Sequence, residues 1–251
     1  MRGLARLVGA LAAAAAAMSV CAAHAEKATD TLRVVWRDAI PNVDPYYNTL
    51  RAGLIVHQHT MDGLVYRDPD SFEIKPLLAT SWKWADPKTL DLTLREGVTF
   101  HNGDKFSADD VVYTLNLISS PESKVSVPSN YSWIEKAEKI DDYHVRLHLK
   151  KITPAALEFF AMITPIYPKA YREKVGPEGF SKAPVGAGPY KIVKVDGVNE
   201  IDLVRFDGYY EGSPKGKARI AKIVIREVAD AARLAFNPDS TMHSTRHRYS
   251  R

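Results

Sequence analysis

The sequence predicts a mixed fold of the α/β or α+β class. Leucines at 90, 92 and 94 alternate with polar residues, and the same alternation recurs over 143–149, which is the period of a half-buried strand. Val111, Leu115 and Ile118 repeat at helical spacing behind Ser107, which together with Asp110 forms a near capping box. Because strands and helices are mixed without a strict strand–helix–strand repeat, we expect a receptor-like lobe of mixed architecture.

The other elements follow in chain order from apolar periodicity, turn residues and prolines. We predict a strand at 32–36, a turn-rich loop at 38–48, a helix at about 50–64, a turn at 68–70, a helix at 155–163, a further helix after Pro168, a hairpin at 189–206 and a strand at 219–228. The hairpin is predicted to turn on two residues, Asp196 and Gly197, a favoured pair for tight β-turns.

The first 25 residues have the layout of a secretory signal peptide. Arg2 and Arg6 precede an unbroken apolar run from 7 to 20, and Ala23-His24-Ala25 forms an A-x-A cleavage site. Cys21 raises lipid attachment as an alternative, but Val20 is larger than the residue that usually precedes a lipidated cysteine. We therefore expect an exported, periplasmic protein released by signal cleavage, without a spanning segment in its mature part.

Charge and cysteine content exclude several classes of function. The formal net charge is +4, but Arg2 and Arg6 lie in the leader and four arginines face one aspartate in 233–251. The body between them is near neutral and lacks the basic surface that a nucleic-acid backbone requires. Cys21 is the only cysteine, so cleavage after Ala25 leaves neither a disulfide nor a thiol nucleophile.

Candidate catalytic and metal sites are sparse. His57 and His59 are two residues apart, so on a helix they point to different faces, which favours surface or packed histidines over a metal site. His101 lies in a loop without a nucleophile beside it, and Asp109 and Asp110 suit the first turn of a helix. We predict no catalytic residues, no metal, no cofactor and no enzymatic activity.

Loop aromatics are the more suggestive residues. Tyr46 and Tyr47 follow the first predicted strand, and Tyr131 and Trp133 lie in a loop rich in proline and serine. Aromatic side chains with a polar tip can line a ligand pocket. Ordinary packing is the competing interpretation for each of them alone.

Six short motifs occur in a fixed order along the chain. They are Asp44-Pro45, Asp62-Gly63-Leu64, Pro76 to Trp82, Phe100-His101-Asn102-Gly103, Pro184 to Tyr190, and Asp207 to Gly212. In this order they resemble family 5 extracellular solute-binding proteins, the periplasmic peptide, nickel and opine receptors of ABC importers. The sequence departs from the family pattern at Asp62, where glutamate is usual, at Ala187, where threonine is common, and at two positions of the last motif, including Tyr210.

The resemblance implies a type II-like periplasmic binding protein whose two lobes close on a ligand and then dock on the permease subunits at the inner membrane. This chain is expected to supply the first lobe (26–52 and 171–232) with its intervening subdomain (53–170), after the signal peptide (1–25). The second lobe is expected to be missing. By position, the resemblance implies ligand contacts from Tyr47, Asn48, Thr49 and Arg51, with Tyr131 added as a pocket aromatic.

The last stretch, 233–251, departs from the family. It begins a polar tail rich in arginine and histidine without apolar period, which predicts disorder, and a frameshift or truncation near Arg233 is the leading explanation. Three hypotheses remain open: a monomeric solute receptor, a non-functional fragment, and a secreted enzyme. Peptides are the favoured ligand, while nickel chelates, opines and sugars stay open because similar scaffolds bind them all.

Overall fold

The computed structural model describes residues 30–36, 40–197 and 199–227. These residues form ten strands and four helices. In chain order the elements are β1 (Thr31–Trp36), α1 (Arg51–Thr60), β2 (Val65–Arg67), β3 (Ile74–Pro76), β4 (Ala79–Asp86), β5 (Thr89–Leu94), α2 (Ala108–Ser119), β6 (Ile134–Asp141), β7 (His144–Leu149), α3 (Ala156–Met162), α4 (Lys169–Lys182), β8 (Tyr190–Asp196), β9 (Glu200–Arg205) and β10 (Lys222–Glu227).

The first sheet has the strand order β1-β10-β9-β8. β1 and β10 run parallel, and the other two pairings are antiparallel. One face of this sheet is apolar, with Ile201, Leu203 and Ile225 buried on it. α1 supplies Ala52 and Val56 to the same hydrophobic cluster, which we call the small core. The helix therefore covers the apolar face of a sheet whose strands come from both ends of the described chain.

The second sheet has the order β4-β5-β7-β6 and is antiparallel throughout. Its predicted alternation is confirmed, because leucines 90, 92 and 94 are all buried while the residues between them are only partly covered. α2 packs on this sheet, and the Asn116 side chain exchanges two hydrogen bonds with the backbone of Ala137, of 3.0 and 2.7 Å. These elements form a second and larger hydrophobic cluster, the large core.

The capping box at the start of α2 is confirmed. The Ser107 hydroxyl accepts from the amide of Asp109 at 3.3 Å, and the Asp110 carboxylate accepts from the amide of Ser107 at 2.9 Å. The second oxygen of Asp110 accepts from the amide of Lys169 at 2.8 Å, at the first residue of α4. One carboxylate therefore joins the starts of two helices.

Two sequence expectations need correction. α1 ends at Thr60 rather than near residue 64, because other segments bind the carbonyl groups at its end, as described below. Asp196 pairs with Glu200, so Asp196 belongs to strand β8 and is not part of the predicted two-residue turn. Gly197 adopts a φ of 51°, a left-handed conformation that glycine tolerates.

Four strands, β2, β3, β4 and β6, have no counterpart among the predicted elements. The predicted signal peptide and the predicted tail lie outside the described residues, and the division into lobe and subdomain stays a prediction. Over the described ranges, we find no helix with the length and apolar character needed to cross a bilayer.

Candidate ligand-binding face

Asp44 anchors the loop that leads into α1. Its side chain is fully buried, and one carboxylate oxygen accepts from the amide of Tyr46 at 3.1 Å and from the hydroxyl of Tyr167. The other oxygen lies 3.7 Å from the guanidinium of Arg172, which is also buried. Burial raises the pKa of Asp44, although these hydrogen bonds and the arginine oppose that rise. Asp44 thus holds the loop and is not open to solvent.

The loop residues predicted to contact ligand divide into two groups. Tyr47 is half-buried and donates to the carbonyl of Ser123 at 2.6 Å, while Asn48 is buried and accepts from the amide of Leu50 at 2.9 Å. Thr49 and Arg51 are exposed at the start of α1. The first pair shapes the loop, and the second pair is open to a ligand.

Tyr131 lies inside the large core rather than in an open aromatic loop. Only 4% of the residue is exposed, its hydroxyl donates to the carbonyl of Ile163 at 3.0 Å, and its ring meets Tyr46 edge-on at 5.4 Å. Burial raises its pKa. The packing interpretation thus describes its place in the structure, and a ligand contact by Tyr131 stays a prediction.

A shallow groove with an enclosed volume of about 20 Å³ runs between α1 and the end of α3. Leu54 lines it from α1 and Met162 from α3, and the Gln58 side chain donates to the carbonyl of Met162 at 2.7 Å. Leu50, Ile55 and Met162 are 44%, 41% and 52% exposed. Together with Thr49 and Arg51, the exposed side of α1 and this groove form what we call the α1 face.

Sequence reasoning missed the part of this face that α3 supplies. Met162 lies more than a hundred residues after α1, and its spacing carries no binding motif. Its exposed thioether side chain suits an adaptable apolar contact. Leu50, just before α1, and Ile55, within it, could have indicated a binding surface in the sequence. Apolar residues on the outer side of a helix often mark a surface that contacts a partner.

His57 and His59 lie in different environments. His57 is buried and its Nε2 lies 3.1 Å from the carbonyl of Val43, whereas His59 is exposed. Burial lowers the pKa of His57 to about 4, so its ring is neutral near pH 7. Within the described ranges, no three metal-binding side chains are grouped closely enough to hold an ion.

The end of α1 is held by a buried polar cluster. The Lys215 ammonium donates to the Asp62 carboxylate at 2.7 Å and to the carbonyls of Gln58 and Met61 at 2.7 and 3.1 Å. Tyr209 and Tyr210 donate to the other Asp62 oxygen at 3.0 and 2.6 Å, and burial raises the pKa of both phenols. A cation beside the last carbonyls of a helix also complements its dipole.

His101 forms hydrogen bonds to the motif Pro184 to Tyr190, close to the end of α1. The amide of Gly186 donates to Nδ1 at 3.3 Å, so the proton lies on Nε2, which donates to the carbonyl of Gly188 at 2.9 Å. Burial lowers the pKa of His101 to about 4, which keeps this neutral tautomer. Thr60 accepts from the amide of Gly188 at 3.1 Å, so the glycine turn lies against the end of α1.

The two sheets and the helices packed on them have the fold of a class of protein, the type II periplasmic binding proteins, of which the described residues form part of a lobe. The chain belongs to family 5 of the bacterial extracellular solute-binding proteins. The family model described as "Bacterial extracellular solute-binding proteins, family 5 Middle" matches residues 73–238.

Curated relatives agree with this assignment. The chain is 29% identical over 226 residues to the glutathione-binding protein GsiB of Salmonella paratyphi A (strain ATCC 9150 / SARB42), covering 88% of this chain and 42% of that protein. It is 31% identical over 228 residues to GsiB of Escherichia coli O1:K1 / APEC, with the same coverage. The chain therefore spans about two fifths of the length of the curated relatives it matches.

Solved structures show the same partial match. NikZ from Campylobacter jejuni, in complex with Ni(L-His), superposes with a TM-score of 0.72 at 27% identity over 82% of this chain and 41% of that chain. The oligopeptide-binding protein AppA from Bacillus subtilis, in complex with a nonapeptide, has a TM-score of 0.74 at 26% identity over 81% and 41%. The names of GsiB and AppA describe binding proteins.

Proposed function

We propose that this chain is part of the periplasmic solute-binding component of an ABC importer. It captures a peptide or a similar small solute and delivers it, as a monomer, to permease subunits at the inner membrane. The observation that carries this proposal is the family match over residues 73–238, on a fold that leaves an apolar, partly polar-rimmed face open beside α1.

The α1 face supports capture of a solute rather than catalysis. Its groove is lined by apolar side chains such as Leu54 and Met162, with Gln58 as a polar group and Thr49 and Arg51 at one end. Ligand sites usually combine an apolar lining with a few polar groups that orient the ligand. The exposed Arg51 suits a carboxylate, which peptides carry at their C-terminus.

A peptide-like solute with a carboxylate is the ligand class we favour. The ligands of these relatives include glutathione, a nonapeptide and nickel bound by histidine, and all of these contain amino-acid carboxylates. Similar scaffolds take different solutes, so glutathione and short peptides are starting probes and not an assignment.

The test is thermal unfolding of the purified chain with glutathione, a pool of tripeptides, or nickel with histidine. A ligand at a hundred times its Kd stabilises the native state by about 2.7 kcal/mol, which raises Tm by roughly 5–10 °C for a chain of this size. We expect such a shift with at least one of these probes at millimolar concentration.

Two variants test where the ligand binds: one changes an exposed residue on the α1 face, and the control changes an exposed residue elsewhere. Met162→Asp, in the lining of the groove, should abolish the shift, whereas Val193→Asp, at a 54% exposed position on β8, should keep it. A folded chain whose Tm responds to none of the probes would contradict solute capture by this chain and favour the non-functional fragment. Turnover of a probe would instead favour the secreted enzyme.

A further inference from the structure

The described chain passes between the two hydrophobic cores at four places. From Tyr46 in the large core it returns to Ala52 in the small core through the start of α1. The other three crossings run from Val43 to Tyr46, from Val56 to Met61 and from Ala187 to Tyr190, and each is only three to five residues long. The relative orientation of the cores therefore depends on what holds these short segments.

A polar cluster lies at each of these three short crossings. At the first, Asp44 accepts from Tyr167 and faces Arg172 at 3.7 Å, both of which belong to the large-core side. At the second, Asp62 receives Lys215 at 2.7 Å and Tyr210 at 2.6 Å from the loop between β9 and β10. Each cluster thus joins groups from both sides of a crossing.

The third crossing is held by His101, which comes from the loop after β5. It bonds to Gly186 through its amide, at 2.9 Å, and through its Nδ1, and to the carbonyl of Gly188 through Nε2. Its ring also meets Phe206 edge-on at 5.0 Å, at the end of β9. A side chain from the large-core side therefore fixes the segment that leads into β8.

Glycine is required where these segments touch. A Cβ at Gly186 would lie 2.2 Å from the carbonyl oxygen of Thr60, and one at Gly188 would lie 2.5 Å from the Thr60 carbonyl carbon. Both contacts are with backbone, which cannot move aside as a flexible side chain can. The glycine turn and the end of α1 are therefore packed backbone against backbone.

We infer that the three polar clusters form a joint that locks the two cores at one angle, and that Asp62 and Lys215 are its main positioning residues. Asp62 accepts all three donors within 3.0 Å, and Lys215 donates to three acceptors within 3.1 Å. The hydrogen-bonded network of Asp62 and Lys215 has one low-energy arrangement, which specifies geometry more sharply than apolar packing alone.

The inference also gives the motifs a role. Five of the six motifs supply joint residues, namely the motifs that contain Asp44, Asp62, His101, Gly186 and Tyr210. None of these side chains lies on the open part of the α1 face. The motifs of this chain therefore encode the angle between the cores, and Pro45, Gly63 and Leu77 from three of them also line the groove.

The consequence for binding rests on the proposed function. The α1 face combines α1, which packs on the small core, with Met162, the last residue of α3, a helix packed in the large core. A change in the angle between the cores would separate the two sides of the groove. The experiment below needs no ligand, so failure of the joint and failure of solute capture are distinguishable.

The test is a distance measurement by double electron–electron resonance between spin labels on the two sheets. Labels are placed at Val193→Cys on β8 and Ile140→Cys on β6, which are 54% and 57% exposed, in a Cys21→Ser background. We expect Lys215→Met to broaden the distance distribution roughly twofold. Lys217→Met removes a neighbouring cation that is paired at the surface with Glu211, and it should leave the distribution unchanged.

A stability control separates positioning from loss of folding. Val145→Ala removes volume from the large core, and it should lower Tm without broadening the distribution. A folded Lys215→Met protein whose distribution superposes on that of the parent would overturn the inference. If Lys215→Met does not fold, Tyr210→Phe, which removes one donor to Asp62, decides: broadening supports the joint and an unchanged distribution refutes it.

Discussion

At the scale of single residues, His57 and His101 show how burial sets charge. Both rings are covered by protein, and desolvation lowers the pKa of each to about 4 from an ordinary value of 6.5. Between these two pH values the unfolded chain binds more protons than the native chain. The stability that the neutral rings contribute is therefore present above about pH 6.5 and is lost as the pH falls toward 4.

This gives a pH prediction for His57. Because the His57 ring takes up a proton when the chain unfolds, the free energy of unfolding should fall by up to about 3 kcal/mol between pH 7 and pH 4. Urea unfolding of the parent and of His57→Gln at both pH values isolates the effect, because the carboxylates that also titrate cancel in the comparison. Equal losses in the two proteins, or an imidazole that titrates near 6.5 by NMR, would show that His57 is not desolvated.

A second residue prediction concerns Gly186. Gly186→Ala should lower the free energy of unfolding by about 3 kcal/mol, because the new Cβ would overlap the Thr60 carbonyl oxygen at 2.2 Å. The comparison is Gly97→Ala, where φ is 73° but no atom lies within 4 Å of the new Cβ, so only backbone strain of about 1 kcal/mol is expected. Similar costs for the two variants in denaturant titrations would contradict the close packing.

At the scale of elements, α2 tests how much a cap contributes. Ser107→Ala removes the acceptor for the first-turn amide of Asp109 and should cost about 1 kcal/mol. Asp110→Ala should cost more, because that carboxylate also accepts from the amide of Lys169. Ser132→Ala, at an exposed position outside the helix, is the control for thermal unfolding. We expect the loss of stability to increase in the order Ser132→Ala, Ser107→Ala, Asp110→Ala. A loss for Ser107→Ala no larger than that for Ser132→Ala would contradict the cap.

The elements predicted from sequence are those with a strong local signal. β1, β5, β7, α2 and α3 follow from alternation, helical spacing or a cap and lie close to their predicted bounds. β4 and β6 were missed because several exposed polar residues break their alternation, and partner strands decide their conformation. α1 stops early because Lys215 and Gly188 bind its last carbonyls, and no local pattern around residues 60–64 encodes those partners.

At the scale of the whole molecule, the α1 face exposes several apolar side chains to solvent, as a surface for capturing a solute would. We expect the folded chain to enhance the fluorescence of the dye ANS, because the dye binds exposed apolar grooves. Met162→Asp should reduce that fluorescence, since Met162 lines the groove. Phe72→Asp, at a 62% exposed position in the β2–β3 turn, is the matched control. An equal reduction by both substitutions would mean that the dye does not bind in the groove.

Only part of the candidate site could be predicted from the sequence, because the rest is assembled by contacts between residues far apart in the chain. Thr49 and Arg51 were placed by their position after a motif, and the structure leaves both exposed, although no observation yet tests their contact with ligand. Met162 joins the face only through the tertiary fold. Tyr131 matched the pattern of a pocket aromatic, yet it packs in the large core, since a phenol in a loop can face either way.

The sequence by itself determined the family, the mixed fold class and the strands and helices with clear periodicity, because these depend on short-range patterns and on motif order. Only the tertiary structure decided how the two cores meet, where α1 ends and which side chains remain open on its face. Those features depend on contacts between residues far apart in the chain, such as the ion pair of Asp62 with Lys215, whose energies come from burial that no local pattern records.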